Sequence, residues 1–194
     1  MDIVIATNNK DKLKEFKEIL LPLGVNCLTL KDINVDVDPE EDGTTFKENS
    51  YIKATTIGKY TSLPVIADDS GIIIDALPGE LRVYSKRFME FSPYEEKNKT
   101  IIERIKGKVR TARYVCVISL TNYMGKTMQF EGIWEGYISD EAKGTHGFGY
   151  DPIFCPLGSN KTVGEMQESE KHKISHRGIA AKKLFDFLKE SIGE

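Results

Sequence analysis

The sequence predicts an α/β fold in which a long mixed β-sheet is flanked by helices. Short apolar runs typical of buried strands alternate with segments whose apolar residues recur at helical spacing. Two stretches rich in β-branched and aromatic residues, 112–121 and 127–137, predict a hairpin through residues 122–125. Because hairpin strands are antiparallel, we expect the sheet to be mixed. The 194 residues suffice for a single domain, compact or built as two joined lobes, with a sizeable core.

The first half of the chain opens with a buried strand over residues 3–6, a run too short for a helix. A helix follows and is expected to end at residues 22–24, which contain a proline and a glycine. Residues 25–30 predict a second strand, residues 36–43 an acidic loop and residues 45–60 a second helix. The apolar face expected for the first helix comprises Leu13, Phe16, Leu20 and Leu21.

In the second half, residues 64–67 predict a short buried strand that runs into an acidic pair, and residues 71–74 continue it as a second apolar run. Residues 94–106 predict a helix with a polar face, ahead of the hairpin. Residues 144–149 are a glycine-rich loop, and residues 175–192 predict the last helix. The buried side expected for that helix comprises Ala181, Leu184, Phe185, Leu188 and Ile192.

Composition excludes several classes of protein. The net charge is −3, from 27 basic and 30 acidic residues, which gives no sign of an extended basic face for a nucleic acid polymer. No apolar stretch approaches the roughly 18 residues of a membrane span. The three cysteines have no CxxC spacing, which argues against a zinc site or a disulfide framework. The amino terminus lacks the regions of a signal peptide. We therefore expect a soluble, cytoplasmic protein.

Residues 7–12, Thr-Asn-Asn-Lys-Asp-Lys, stand where the first strand passes into the first helix. The first turn of a helix presents unpaired N–H groups and a partial positive charge, so Lys10 and Lys12 are unfavourably placed unless an anion binds there. A phosphate would satisfy the amides and the ammonium groups together. The alternative is a solvated surface turn with asparagine caps.

Asp68 and Asp69 follow a predicted buried strand, where carboxylates are costly unless cations or hydrogen-bond donors hold them. Ligands of open α/β sheets collect near the carboxyl ends of strands, and Mg²⁺ prefers such oxygen ligands. Successive strand residues point to opposite sides, so the two aspartates should have different roles. Glu40 could complete a metal site with Asp69, although the pattern of the crowded acidic loop does not single it out. The alternative is an Asx turn capped by Gly71.

Two further segments point to a ligand. His176 and Arg177 lie in the first turn of the last helix, behind Ser175 as a good N-cap, where basic side chains oppose the helix dipole. Capping with a solvated arginine is the alternative. Phe148, between two glycines, could stack on a flat ligand, or its turn could fold its aromatic side chains into the core.

Five segments in this order resemble the inosine/xanthosine triphosphate pyrophosphatase family, and the resemblance covers nearly the whole chain. Each segment is weak evidence alone, but five in register are highly specific. They are Thr7-x-Asn9-x-x-Lys12, residues 46–54, Ala67-Asp-Asp-Ser-Gly71, Phe148-Gly-Tyr-Asp151 and Ser175-His-Arg177.

The resemblance implies a long mixed sheet spanning two lobes with the nucleotide in the cleft between them, a homodimer, and hydrolysis of a triphosphate to the monophosphate and pyrophosphate with Mg²⁺. Asp69 would be the general base and a metal ligand, and Glu40 the second metal-binding carboxylate. The implied substrate-binding residues are Thr7, Asn8, Asn9, Lys10, Asp11, Lys12, Lys53, Ser70, Phe148, Gly149, Tyr150, Asp151, Lys171, His176 and Arg177.

The chain departs from the family pattern in two places. Residues 77–82 stand where a glycine-rich turn is common, so no role is assigned to Lys86 or Arg87. His146 stands where a smaller residue is usual, which makes its imidazole a candidate modifier of the pocket.

Two other functions are compatible with the residues alone. An aspartyl-phosphate phosphatase would use Asp68 or Asp69 as a nucleophile, although that class usually spaces its aspartates by one residue. A nucleotide-sensing module would bind without hydrolysis, but an acidic pair adds little to pure phosphate binding.

Overall fold

The computed structural model describes residues 1–192 and contains six strands and five α-helices in that part of the chain. The strands are β1 (Asp2–Ile5), β2 (Asn26–Leu28), β3 (Val65–Ile74), β4 (Thr111–Tyr123), β5 (Lys126–Ile138) and β6 (Phe154–Pro156). The helices are α1 (Lys10–Leu20), α2 (Phe46–Gly58), α3 (Tyr94–Arg104), α4 (Glu168–Ile174) and α5 (His176–Ile192). None of these helices is long and apolar enough to cross a membrane.

The six strands form one mixed sheet in the order β2-β1-β3-β4-β5-β6. β1 pairs in parallel with β2 and β3, whereas β5 pairs antiparallel with β6. Met124 and Gly125, between β4 and β5, both have positive φ, 52° and 70°. This is the backbone that a two-residue type I′ hairpin turn requires. The predicted α/β class, mixed sheet and hairpin are confirmed.

The chain divides into two compact units. Unit 1 contains Met1–Asp69, Cys116–Gly132 and the carboxyl-terminal segment from Arg177. Unit 2 contains Ser70–Val115 and Ile133–His176. The chain passes from one unit to the other inside β3, β4 and β5, and again between the first two residues of α5.

Unit 1 has an apolar cluster on each face of its strands, because strand side chains alternate between faces. Ile3 and Ile5 of β1 belong to the cluster that α1 and α5 cover. Val4 and Ala6 belong to the cluster that α2 covers. The helices contribute Phe16, Leu20, Ala181, Leu184 and Leu188 to the first cluster, and Ala54 and Ile57 to the second. Unit 1 is therefore a helix–sheet–helix sandwich.

Unit 2 has its own core, in which aromatic side chains pack among more numerous aliphatic ones. Tyr114 lies against the Phe154 ring, with centroids 4.7 Å apart, and Trp134 against the same ring at 5.5 Å. Ile101 of α3 and Ile105, which directly follows the helix, also belong to this core.

Several predicted details are wrong. Leu21 is 72% exposed, because α1 ends at Leu20 and residues 21–23 turn away as a 3₁₀ helix. Phe185 is only half-buried, whereas Leu184 and Leu188 are fully buried. The predicted burial of Ile192 concerns a side chain that lies outside the described part of the structure. The seven-residue helix α4 was not predicted, because its sequence is polar and lacks an apolar stripe.

Candidate active site

The acidic pair Asp68 and Asp69 lies inside β3, which continues through both residues to Ile74. The pair therefore lies within the strand, and not directly after it as the sequence predicted. The alternative of an Asx turn is also wrong. Asp68 is on the face covered by α1 and α5, since its carboxylate contacts Lys12 of α1. Asp69 is on the face covered by α2, since it accepts a hydrogen bond from Asn49. The two carboxylates thus meet different surroundings, as the alternation of strand side chains predicted.

Asp68 is a buried carboxylate that cations compensate. Only 1% of its side chain is exposed, and its Oδ2 lies 3.0 Å from Nζ of Lys12 and 3.5 Å from Nη2 of Arg177. Burial alone would raise the pKa of Asp68, but the charges of Lys12, Arg177 and Lys53 together hold it well below its usual range. Asp68 is therefore anchored by cations and is poorly suited to accept a proton.

Asp69 has the opposite electrostatic character. Burial raises the pKa of Asp69 to about 6, against the lowering charges of Lys53 and Lys12, and the charge of Glu41 raises it further. Its Oδ2 accepts a hydrogen bond of 3.2 Å from Nδ2 of Asn49. A carboxyl group with a pKa close to neutrality can take up a proton during a reaction.

The raised pKa of Asp69 predicts how stability depends on pH. In the unfolded chain an aspartate titrates near pH 4, so the folded protein holds this proton more tightly. The resulting stabilisation is fully present below about pH 4 and is lost as the pH rises through about 6. In metal-free buffer we expect Asp69→Asn to be more stable than wild type at pH 8, by up to about 3 kcal/mol, and nearly equal at pH 4. Urea unfolding at both pH values measures this, and a difference that does not change with pH would contradict it.

Lys53 connects the pair to the acidic loop. Its Nζ donates to the backbone carbonyl of Asp68 at 2.9 Å and lies 2.8 Å from Oε1 of Glu41. Burial alone would lower the pKa of Lys53, but the charges of Asp68, Glu41 and Asp69 raise it overall. Glu41 is half-buried, whereas Glu40, the predicted metal ligand, is exposed. The described contacts of this loop with the acidic pair therefore run through Glu41.

The carboxylates of this region are oxygen donors that could take part in holding a metal ion. Within residues 1–192, no group of three or more His, Cys, Asp or Glu side chains is arranged to hold a metal ion. Magnesium is commonly held by one or two carboxylates together with water and substrate phosphates. Asp69 and Glu41 fit such a donor set, because the two carboxylates are close enough for the charge of Glu41 to raise the pKa of Asp69.

The segment over residues 7–12 is organised by Asn9, the N-cap of α1. Oδ1 of Asn9 accepts hydrogen bonds from the backbone N–H groups of Asp11 and Lys12, at 2.9 and 3.1 Å, and its own N–H donates to Thr7 Oγ1 at 3.1 Å. The asparagine cap, part of the alternative interpretation, is thus present. Lys12 is only 15% exposed and is directed to Asp68, so it does not belong to a fully solvated turn. Of the other predicted contacts, Asn8, Lys10 and Asp11 are exposed.

Arg177 is 2% exposed, so the alternative of capping with a solvated arginine is wrong. Its Nη1 donates to the buried carboxylate of Glu15 in α1, and its Nη2 lies near Asp68. Burial alone would lower the pKa of Arg177, but the charges of Glu15 and Asp68 raise it. The anionic partners of this arginine in the structure are therefore two carboxylates of the protein.

In unit 2, Asp151 organises the predicted base-binding loop. Its Oδ2 lies 3.0 Å from Nζ of Lys171 and accepts the N–H of Phe148 at 2.9 Å, while Oδ1 accepts the hydroxyl of Tyr114 at 3.1 Å. Nζ of Lys171 lies 4.6 Å from the centre of the Phe148 ring. A Cβ on Gly147 would come within 2.1 Å of Oδ2 of Asp151, so only glycine fits there. Burial raises the pKa of Asp151, and the charge of Lys171 partly offsets the shift.

His176 stacks on Tyr114, with ring centroids 4.6 Å apart and planes 11° apart, and Trp134 lies beyond at 6.3 Å from His176. The structure thus brings Phe148, Asp151, Lys171 and His176 together around Tyr114. Tyr150 is buried and its hydroxyl donates to the carbonyl of Ser85.

Ser70, the remaining predicted contact, is half-buried in β3. The three residues left without a role are placed as follows. His146 is exposed, Lys86 accepts a hydrogen bond from Lys97 through its carbonyl, and the Arg87 guanidinium lies 5.9 Å from the Tyr84 ring.

Sequence reasoning missed Glu15, Asn49 and Tyr114. Glu15 and Asn49 lie on the buried sides of α1 and α2, where a polar residue among apolar ones is an available signal that it has a partner. Tyr114 carried no such signal, since aromatic residues are ordinary in a buried strand.

The fold and the charged cluster of unit 1 define an α/β protein with lysines and a buried acidic pair suited to a polyanionic ligand. The model of the Ham1 family matches residues 3–187, and this chain belongs to that family. The resemblance found in the five segments is confirmed.

Relatives and solved structures agree with this assignment. A dITP/XTP pyrophosphatase of Halalkalibacterium halodurans is 44% identical over 189 residues, covering 95% of this chain and 97% of the relative. The dITP/XTP pyrophosphatase of Bacillus subtilis is 42% identical over 191 residues, covering 96% of both. A HAM1 protein from Coxiella burnetii superposes with a TM-score of 0.89 at 37% identity, covering 98% of this chain and 99% of that one. A structure named nucleoside-triphosphatase / dITP/XTP pyrophosphatase from Mycobacterium abscessus superposes with a TM-score of 0.74 at 34% identity, covering 95% of this chain and 98% of that one.

Proposed function

We propose that this protein hydrolyses non-canonical purine nucleoside triphosphates, dITP, ITP and XTP, to the monophosphate and pyrophosphate, and so cleanses the nucleotide pool. The names of its relatives support the substrate class. The observation that carries the proposal is the asymmetry of the acidic pair. Asp68 is held ionised by Lys12 and Arg177, whereas Asp69 has a pKa raised to about 6.

Asp69 is the proposed general base, which takes the proton of the water that attacks the α-phosphorus. Its raised pKa supports this role, because a base with a pKa near neutrality combines an available ionised form with useful basicity. Asn49 orients the carboxylate from the α2 side.

Lys12 and Lys53 are the proposed partners of the phosphate charges. Both lie close to Asp68, so the cluster already places two ammonium groups beside the proposed base. Positive groups fixed in advance stabilise the charge that moves onto leaving pyrophosphate. The remaining proposed phosphate and sugar contacts are Thr7, Asn8, Asn9, Lys10, Asp11 and Ser70.

Magnesium is the proposed cofactor, and Asp69 and Glu41 would hold it. When bound, it would polarise phosphate oxygens and lower the pKa of a bound water. The charge of Glu41 raises the pKa of Asp69, and this closeness of the two carboxylates supports the pair as metal ligands. Glu40, which the resemblance implies, is the exposed neighbour in the same loop.

Recognition of the base is proposed for Phe148, Gly149, Tyr150, Asp151, Lys171, His176 and Arg177. Hypoxanthine and xanthine present an acceptor oxygen at position 6, where adenine has a donor amine. Donors from His176 and Arg177 would be left unsatisfied by adenine, which is a strong penalty in a buried site. A guanidinium has five N–H donors, so the contacts of Arg177 with Glu15 and Asp68 are compatible with this role.

A product assay tests the proposal. We expect pyrophosphate from dITP, ITP and XTP with magnesium, at a kcat/KM about 100-fold or more above that for ATP. Inorganic phosphate as the only product would instead favour the aspartyl-phosphate phosphatase. Saturable binding without turnover would favour the nucleotide sensor, and equal rates on ITP and ATP would contradict the selectivity.

A cytoplasmic homodimer is part of the same proposal and rests on the family resemblance. The cysteines Cys27, Cys116 and Cys155 are free, which supports a reducing compartment. Sedimentation equilibrium at micromolar concentration measures the oligomeric state.

A further inference from the structure

Within unit 2, α3 contacts the loop that carries Phe148 through a buried asparagine. Asn98 is 2% exposed, and its Nδ2 donates to the backbone carbonyl of Gly149 at 3.2 Å. One helical turn earlier, the Tyr94 ring meets the Tyr150 ring edge-on, with centroids 5.1 Å apart. α3 therefore contacts two consecutive residues of the loop, and Asn98 makes the polar contact.

Asn98 is not explained by its contribution to stability. Its Oδ1 is buried and has no hydrogen-bond partner among residues 1–192. A buried acceptor left without a donor destabilises a folded protein, and an apolar side chain of similar volume avoids that penalty. The presence of an asparagine at this position is therefore explained by the hydrogen bond that its Nδ2 donates to the carbonyl of Gly149.

That hydrogen bond adds a side-chain contact to a turn that the backbone N–H of Asp151 closes on the carbonyl of Phe148 at 3.3 Å. Gly149 has a φ of +66°, a conformation open to glycine at little cost, and glycine has no side chain to hold it there. The N–H of Phe148 is held by Asp151. Together, Asp151 and Asn98 hold the backbone on either side of the Phe148 Cα, and so set where its ring stands.

We propose that Asn98 is a positioning residue for base recognition, acting through the Gly149 carbonyl on the orientation of Phe148. This inference rests on the proposed function, in which Phe148 stacks on the purine. Asn98 belongs to unit 2 together with the loop of Phe148, whereas the proposed phosphate contacts Lys12 and Lys53 belong to unit 1, so its effect should depend on the base.

The test is substitution Asn98→Leu, which removes the donor and the unsatisfied acceptor while nearly keeping the volume. We expect KM for dITP to rise about five- to tenfold, the effect of one lost hydrogen bond, with kcat changed less than twofold. The much weaker hydrolysis of GTP should change less, so the preference for dITP over GTP narrows by a similar factor. Thermal unfolding should stay at or above the wild-type temperature.

Two further variants make the result decisive. Asn98→Ala should narrow the preference in the same way, and it serves if the leucine variant does not fold. Lys97→Met is the matched control, since Lys97 is buried in α3 and donates to the carbonyl of Lys86. It should keep the wild-type preference.

Each outcome has a distinct meaning. If wild type prefers dITP and both Asn98 variants keep that preference, the positioning role is overturned while the proposed function stands. An equal loss on dITP and GTP likewise overturns it. A wild-type protein that releases no pyrophosphate, or does not discriminate between bases, overturns the proposed function itself.

Discussion

Asp69→Asn is expected to reduce pyrophosphate release from dITP by about a thousandfold, because the amide cannot accept the proton of the attacking water. It also removes a carboxylate proposed to hold magnesium. The side chain keeps its volume, and its amide oxygen can still accept the hydrogen bond from Asn49. The fold should therefore survive.

Steady-state rates at saturating magnesium, together with circular dichroism, measure both parts of this result. Asp186→Asn is the matched control, because Asp186 is half-exposed on α5 and pairs with Lys182. It should have wild-type activity. Near-wild-type turnover by Asp69→Asn would remove Asp69 from the mechanism.

Lys12→Ala is expected to lower kcat/KM for dITP by about 100-fold, since a fixed positive charge at the leaving group is lost. It has a second effect, because the buried Asp68 loses the cation of its 3.0 Å ion pair and keeps only the weaker compensation by Arg177 and Lys53. The free energy of unfolding should fall by about 1–3 kcal/mol.

The double variant Lys12→Ala/Asp68→Asn separates these effects. Removing the uncompensated carboxylate should recover most of the stability but none of the activity. Lys17→Ala, an exposed lysine in the last turn of α1, should change neither quantity. If the double variant recovered activity together with stability, Lys12 would be a structural cation and its proposed contact with phosphate would be wrong.

Local patterns predicted most of the elements, since the hairpin, α1 and α3 each have a period or a turn within one segment. The continuous β3 was not predictable in this way. A strand tolerates Asp68 only because Lys12 and Arg177 compensate it, and both are distant in sequence.

The types of residue in the candidate site could be predicted from the sequence, but the contacts between them could not. Helix-dipole reasoning predicted that Lys12 and Arg177 meet anions, and the structure shows that the anions include Asp68 and Glu15. The choice between Glu40 and Glu41 depends on the path of a loop without periodicity. The role of Tyr114 depends on which ring reaches Asp151, and this is fixed only by packing.

The ion pair between Glu15 and Arg177 joins residues 162 positions apart. During synthesis on the ribosome, Ser70–Val115 and Ile133–His176 have all been made before Arg177 is added. The segments of unit 2 are therefore made before the cation for Glu15 and the apolar face of α5. Domains generally fold as their segments emerge, so unit 1, although its first segment is made before unit 2, can be completed only after Arg177 and the rest of α5 have been made.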